Sequence, residues 1–498
     1  MLRSFVSLGR RFVVFMVHTN IPQRLDRLPW SPWHWRIVAA LGVNWILDGL
    51  EVTIVGALGA TLTSPTTLNL STTEVGLTAS AYLVGSVTGA LFFGRLTDRQ
   101  GRKKWFLRTL LLYLIATVLT AFSWNLWSFM TFRFLTGMGI GGEYAAVNSA
   151  IDELIPARVR GQTDLAVNGS WWAGTAAGAL LTVPLLNPQF IPESIGWRIC
   201  FLLGAVLGIG ILFVRRVLPE SPRWLMTHGK AQEAEEIVHG IEQTVMQQRG
   251  LQCLSIPKDF ITVQTPVSAT FVTVWQELLH SYPTRTLLGA TLMITQSFLY
   301  NSVFFTYALV LSKFYGVAPS QVGLYIVPFA IGNFLGPLLL GRFFDSVGRK
   351  RMIAWTYGLS GTLLALTGYL FWQGYLTALT QTLAWCVIFF FASAGASAAY
   401  LTVSEMFPLE IRASAIAIFF VLGQGVGAFG PWLFSHLIDT SAGDVFFGDL
   451  IGAGAMLIGS IVALRFGVNA EKQPLEHIAP PLSCRGDQNG SDSSGAAV

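Results

Sequence analysis

An eleven-residue charged element occurs twice in this chain. It appears as Gly94-Arg-Leu-Thr-Asp98-Arg-Gln-Gly101-Arg102-Lys103-Lys104 and, about 250 positions later, as Gly341-Arg-Phe-Phe-Asp345-Ser-Val-Gly348-Arg349-Lys350-Arg351. A second pair trails each copy: Glu153-Leu-Ile-Pro156-Ala-Arg-Val-Arg160 in the first half and Glu405-Met-Phe-Pro408-Leu-Glu-Ile-Arg412 in the second. Self-similarity at so long a period marks a duplicated architecture. Each copy sits between long apolar stretches, so the elements read as short charged hairpins joining membrane helices, and the duplication divides the protein into two halves.

Composition places those halves in lipid. The 498-residue chain is 52% hydrophobic and only 12% charged, with a mean hydropathy of +0.55, far too apolar for an ordinary soluble protein. A bilayer core of about 30 Å takes about 20 apolar residues per helix. Twelve such segments can be drawn, at 36–60, 75–95, 105–123, 126–149, 160–184 and 197–217, then at 285–311, 319–341, 352–371, 377–402, 411–435 and 444–467. The expected fold is an all-α membrane protein with twelve transmembrane helices in two pseudo-symmetric six-helix halves. Its expected divisions are an N-terminal extension (1–35), a first half (36–218), a linker (219–284), a second half (285–467) and a disordered tail (468–498) rich in Ser, Gly, Pro and Asp.

Lys and Arg set the expected orientation. With the N-terminus inside, Arg24, Arg27, Arg36, the clusters around 95–108 and 342–351, and Arg158, Arg160, Arg215, Arg216, Arg223 and Arg412 are cytoplasmic, while the opposite loops carry only Lys313. Both termini are then cytoplasmic, in a multi-pass protein of a cell membrane, the inner one in a bacterium. The formal charge of +5 is spread over membrane-flanking loops rather than gathered in one basic domain, so no nucleic-acid partner is expected. The first twenty residues are basic, are broken by Arg10 and Arg11, and lack a small-residue cleavage site. They read as a cytoplasmic extension, with an interfacial segment or an upstream start artefact as open alternatives. The run from Gly229 to Glu242 reads as an amphipathic surface helix, with His228 and His239 solvated.

Cys200, Cys253, Cys386 and Cys484 are scattered and include no CxxC pair, so neither a disulfide framework nor a metal site is expected. No Walker-type, HExxH or GxSxG segment occurs, and the expectation is a protein that is not an enzyme and takes no cofactor.

Ionisable residues inside the apolar spans are the sharper clue, because an unpaired charge at that depth costs several kcal/mol. With the first span starting near Arg36, a rise of about 1.5 Å per residue puts Asp48 about 18 Å in and Glu51 about 22 Å in. Their i, i+3 spacing puts both on one face, and Arg133 on the fourth span reaches a comparable depth. Two like charges on one face, out of water and beside a single cation, make a place where a proton can be exchanged. The expected assignment is Asp48 as principal proton carrier and Glu51 as secondary, with Arg133 controlling proton release or binding an anionic substrate. Glu143, nearer the cytoplasmic end, is expected as a gate or relay. A static ion pair that only fixes packing is the competing reading.

Six helices, a basic linker, six more helices and a repeated GxLxDxxGRK-type hairpin together resemble the major facilitator superfamily over nearly the whole chain. Arg133-Phe-Leu-Thr-Gly137-Met-Gly139-Ile-Gly141 resembles its RxxxGxGxG motif. Pro219-Glu-Ser-Pro-Arg-Trp224, and Glu405-Met-Phe-Pro408 with Arg412, resemble sugar-porter motifs. Trp45-Ile-Leu-Asp48-Gly-Leu-Glu51-Val and Gly141-Gly142-Glu143 are similar to metabolite:proton symporters, a group with nicotinate, aromatic-acid and synaptic-vesicle-glycoprotein-like members. The fifth span, with Asn168, Trp171, Trp172, Gly174 and Gly178, lacks the GPxxGG element of drug:proton antiporters. The seventh, Gln296-Ser-Phe-Leu-Tyr300-Asn301, only loosely resembles the paired glutamines of sugar porters. These departures weigh against drug export and against a hexose.

The resemblance implies a secondary active transporter, monomeric in the lipid bilayer, that imports a small organic metabolite, an organic or aromatic acid, with protons by alternating access. A sugar-porter-like uniporter and a transport-dead binding or scaffold protein are the alternatives. The hairpins would form a cytoplasmic gate of Gly94, Asp98, Gly101, Arg102, Glu153 and Arg160 with their counterparts Gly341, Asp345, Gly348, Arg349, Glu405 and Arg412. In that gate charged pairs hold the two halves shut, and the glycines allow tight turns and close helix approach. The competing reading is that these charges only fix topology. Tyr82, Asn168, Trp171, Trp172, Gln296, Tyr300, Asn301, Asn333 and Gln424 are the expected substrate-binding residues, since aromatics beside amides suit a ring-bearing or carboxylated metabolite. The run from Gly423 to Pro431 is expected to be a close-packing or bending element.

Overall fold

The computed structural model describes residues 16–214, 219–227, 229–254, 261–264, 271–407 and 409–468. A short strand β1 (Met16–Thr19) and helix α1 (Ile21–Asp26) lead into the first six spans. These are α2 (Pro32–Leu62), α3 (Thr72–Gln100), α4 (Arg102–Ala121), α5 (Leu126–Leu154), α6 (Ala157–Leu185) and α7 (Glu193–Val214). Helices α8 (Pro222–Thr227) and α9 (Ala231–Arg249), strand β2 (Ile261–Gln264) and helix α10 (Phe271–His280) make up the linker. The second set is α11 (Pro283–Tyr315), α12 (Pro319–Ser346), α13 (Arg349–Trp372), α14 (Ala378–Met406), a span made of α15 (Leu409–Gly427) and α16 (Phe429–Thr440), and α17 (Ala442–Phe466). Nine of the described spans are apolar and long enough to cross a membrane by length and composition; α5, α6 and α13, of 29, 29 and 24 residues, complete the twelve.

The duplicated hairpins fold alike. Gly101 joins α3 to α4 with φ +101°, and Gly348 joins α12 to α13 with φ +105°, a region that side chains with a Cβ rarely enter. The close helix approach expected at Gly94 and Gly341 is not found among the described residues: a Cβ added there meets none of their atoms within 4 Å. Close approach occurs along the RxxxGxGxG motif instead. A Cβ at Gly137 would lie 2.0 Å from the Tyr82 carbonyl oxygen, and one at Gly141 2.0 Å from that of Ser86, while Gly139 faces Thr109 and Tyr113 on α4. These glycines let α5 lie flush between α3 and α4.

The eleventh span packs closely along the Gly423–Pro431 run and stays helical through Ala428 (φ −65°, ψ −22°), which donates its N–H to the Gln424 carbonyl at 2.8 Å. Its two pieces meet at Ala428, where glycines press against α11: a Cβ at Gly423 would come 2.8 Å from the Met293 carbonyl oxygen, and one at Gly430 2.3 Å from Ser302 Oγ.

On the face where the linker lies, called the linker face below, the N-terminal extension does not stand alone. The amphipathic pattern of α9 buries Ala234, Val238, Ile241 and Val245, which join Ile21, Leu25 and Leu28 of the extension in one apolar cluster with Trp33 and Ile37 of α2. Around it, Arg24 donates to Glu242 at 2.8 Å and to Glu235, and Arg27 donates to Glu242 at 2.5 Å. Gln248 Oε1 accepts from Trp33 N at 2.8 Å, and Arg249 donates to the Trp30 carbonyl. Strands β1 and β2 add an antiparallel pairing, Met16 opposite Gln264 and Thr19 opposite Ile261.

Burial pushes the Glu242 carboxyl up, but hydrogen bonds and charge from Arg24 and Arg27 outweigh it and hold the carboxyl below its ordinary value. A carboxyl depressed in the folded state stabilises above its unfolded pKa and loses that contribution as pH falls through the folded one. The clamp should therefore be intact at neutral pH and loosen under acid conditions below the ordinary carboxylate range. Glu242→Gln should cost up to about 3 kcal/mol of local stability, the low end for breaking a buried pair because both arginines keep partial access to water. Hydrogen exchange in α1 and α9 measures this: protection should fall in both together, with the spans unaffected.

Candidate functional site

Helix α2 runs 31 residues, about 46 Å at 1.5 Å per residue, so Asp48 and Glu51 sit near its middle. Both are buried, and on another face of the helix Gly49 packs α2 on α6: a Cβ there would lie 2.1 Å from the Trp171 carbonyl oxygen, and Gly174 returns the fit against Ile46 at 1.8 Å.

Arg133, eight residues into α5, donates through Nη1 to Glu51 Oε1. The two side chains are 0% and 1% exposed. The guanidinium carbon also lies 4.6 Å from the centre of the Tyr82 ring and 5.9 Å from that of Phe201, two aromatic contacts for a desolvated cation. Arg133 Nε and Nη2 and Glu51 Oε2 have no hydrogen-bond partner among the described residues. Asp48, 4% exposed, accepts a long hydrogen bond from Asn44 Nδ2 at 3.4 Å. Of the four expected coupling residues, Glu51 and Arg133 are thus brought into an ion pair, with Asp48 one turn earlier on α2. Tyr82, which faces this cluster, also packs on Phe305 of the second half at 6.1 Å.

Beside it, aromatic side chains of both halves converge. Trp171 and Trp172 of α6 stand edge to face at 4.6 Å. Trp172 faces Tyr300 and Phe329 at 6.2 Å each, and Trp171 faces Phe304 at 5.7 Å. Phe389 closes the group at 4.9 Å from Tyr300 and 4.7 Å from Phe329. Amides sit at its edge: Asn333 Oδ1 accepts from Tyr300 OH at 2.9 Å, and Gln424 Oε1 accepts from Asn301 Nδ2 at 3.0 Å. Gln296 is buried and donates to its neighbour Ser297 at 3.1 Å, while Asn168 is half-buried on α6, one turn before Trp172. Phe304, Phe329 and Phe389 were not singled out by sequence, since an isolated Phe in an apolar span gives no signal of its own.

The expected gate divides differently. Arg349 pairs with Glu405, but both belong to the second half, where the start of α13 meets the end of α14, so this pair braces one half instead of spanning two. In the first half the start of α4 is capped by Glu220, which accepts from Lys103 N at 3.2 Å. The side chains of Asp98, Arg102, Glu143, Glu153, Arg160, Asp345 and Arg412 lie outside the described residues.

The sugar (and other) transporter family matches residues 49–481. The chain is 30% identical over 462 residues to the putative metabolite transport protein YyaJ of Bacillus subtilis, covering 92% of this chain and 97% of the relative. It is 27% identical over 421 residues to the niacin transporter NiaP of Acinetobacter baylyi, covering 84% and 90%. Among solved structures, the xylose transporter XylE from E. coli in an inward open conformation is similar in fold with a TM-score of 0.69 at 19% identity, covering 89% of this chain and 98% of that one. A twelve-span protein of two six-helix halves, this chain belongs to the sugar (and other) transporter family of the major facilitator superfamily.

Proposed function

We propose that this transporter imports a small aromatic carboxylic acid together with protons, by alternating access of a site between Asp48–Glu51–Arg133 and the Trp171/Trp172–Tyr300–Phe329 aromatic group. The observation that carries the reading is a buried arginine–glutamate pair with a second carboxylate one helical turn away, set against aromatic rings from both halves. Flat rings flanked by amides recognise an aromatic solute, and the charged cluster supplies a proton site. The similarity to a niacin transporter supports a pyridine carboxylate as the type of substrate, and the fold shared with a D-xylose-proton symporter supports proton coupling. Arg133 acts on the proton through its ion pair with Glu51.

The linker face is proposed to be cytoplasmic. It carries nearly all of the Lys and Arg, whereas the opposite face has only Lys313 and, just inside α7, Arg198.

Thermal unfolding of the purified protein tests the substrate class, because a ligand that binds only the native state raises apparent stability. Nicotinate should stabilise and D-xylose should not, and Trp172→Ala should weaken nicotinate binding by ~10-fold. Stabilisation by the sugar alone would transfer the protein to the uniporter alternative.

A further inference from the structure

We propose that the eleventh span ends in an outer gate. In this reading the outer part of that span, α16, is clasped to the opposite half through Asp439, a residue that positions the two halves without touching the substrate site. The first turn of α3 leaves backbone N–H groups without helical partners. Ser71 caps one of them, accepting from Glu74 N at 3.2 Å. The Thr73 group is capped from the other half: Asp439 Oδ2 accepts from Thr73 N at 3.1 Å and from Thr73 Oγ1 at 2.8 Å. Lys313, at the end of α11, holds the same residue, donating to the Asp439 carbonyl at 3.2 Å and lying 3.5 Å from Oδ1. One carboxylate thus joins the dipole-positive end of a first-half helix to a cation of the second half.

Exposed contacts of this kind are individually weak, so the clasp orients a closure that packing provides. Just below it Gly76 forms a notch: a Cβ there would lie 2.4 Å from Ser435 Oγ and 2.5 Å from the Pro431 carbonyl oxygen. The backbone of α16 can seat against α3 only because position 76 has no side chain. The neighbouring seam is equally tight at Gly323, where a Cβ would come 2.1 Å from the Ala179 carbonyl oxygen. The structure is therefore shut on the face away from the linker, and the clasp and the notch both lie on the seam that has to part for that face to open.

This inference uses the alternating-access part of the function proposed above, but its test needs no substrate, so an error in the substrate class cannot imitate its failure. In a background with the four cysteines replaced by serine, Leu309→Cys provides the reporter. Leu309 is 4% exposed and packs across the seam against Gly59. Labelling of that thiol by a membrane-impermeant maleimide is followed in nanodiscs. Gly76→Ala should raise the labelling rate by ~10-fold and Asp439→Asn by ~3-fold, as populations shift toward the form open on this face, while Asp439→Glu should stay close to the parent. Each variant must elute as a single monodisperse peak, and Asp439→Asn, the milder change, stands if Gly76→Ala does not fold. A labelling rate unchanged by both substitutions would overturn the proposal.

Discussion

Glu51→Gln is expected to destabilise the protein by about 3–5 kcal/mol, the cost of leaving a buried cation without its counter-charge. Arg133 is 0% exposed and its described ion-pair partner is Glu51, so water cannot take over the lost interaction. The Tyr82 and Phe201 rings recover only part of it, since a cation over an aromatic face is worth up to about 2 kcal/mol. Removing the arginine as well should reverse most of the loss: in Glu51→Gln with Arg133→Met no unpaired charge remains, and neutral replacement of a buried pair is often tolerated. Transport should be absent in both variants. Thermal aggregation followed by size exclusion checks the prediction, which fails if the single substitution is as stable as wild type or if the double is worse than the single.

Asp48→Asn is expected to leave folding intact and remove coupling. The amide has the shape of the acid and can keep a hydrogen bond with Asn44, so the packing of α2 on α6 at Gly49 is undisturbed. What disappears is the group proposed to take up and release a proton. A pH difference of one unit is about 1.4 kcal/mol and can drive at most ~10-fold accumulation of a solute carried with one proton. Wild-type vesicles should approach that limit, while Asp48→Asn vesicles should stop near equal concentrations inside and out. Exchange of labelled for unlabelled substrate, which needs no net proton movement, should persist in the variant. Loss of exchange together with accumulation would move Asp48 from proton carrier to structural or substrate-binding residue.

Much of this architecture is legible in the chain because lipid imposes strong rules. Spans must be long and apolar, turns between them concentrate charge, and the repeated Gly-Arg-Lys hairpins fix the twofold plan; the matched φ values at Gly101 and Gly348 are that repeat seen in the backbone. Spacing also places Asp48, Glu51 and Arg133 at similar depth. It does not say which carboxylate meets the arginine, because that depends on the rotation of α5 about its axis, set by Gly137 and Gly141 lying against α3. The aromatic group is half legible: Trp171, Trp172 and Tyr300 stand out as large amphipathic rings, whereas Phe304, Phe329 and Phe389 resemble any other Phe in an apolar span until the halves are assembled.

Contacts between distant segments are the least legible. Nothing local in Arg24 or Arg27 points to Glu242, more than 200 positions away, and an apparently plain N-terminal extension becomes half of a clamp. Asp439 behaves likewise: as a polar residue at the end of a span it reads as solvated, and only the fold brings it to Thr73.

The most direct test of proton-coupled import of an aromatic acid is the internal pH of proteoliposomes carrying a trapped pH dye, recorded while nicotinate is added outside and its uptake is followed in parallel. The account predicts that wild type acidifies the lumen in step with uptake, beyond the leak of protein-free vesicles, and that Asp48→Asn shows no acidification above that leak. Nicotinate uptake by wild type without any excess acidification would contradict it.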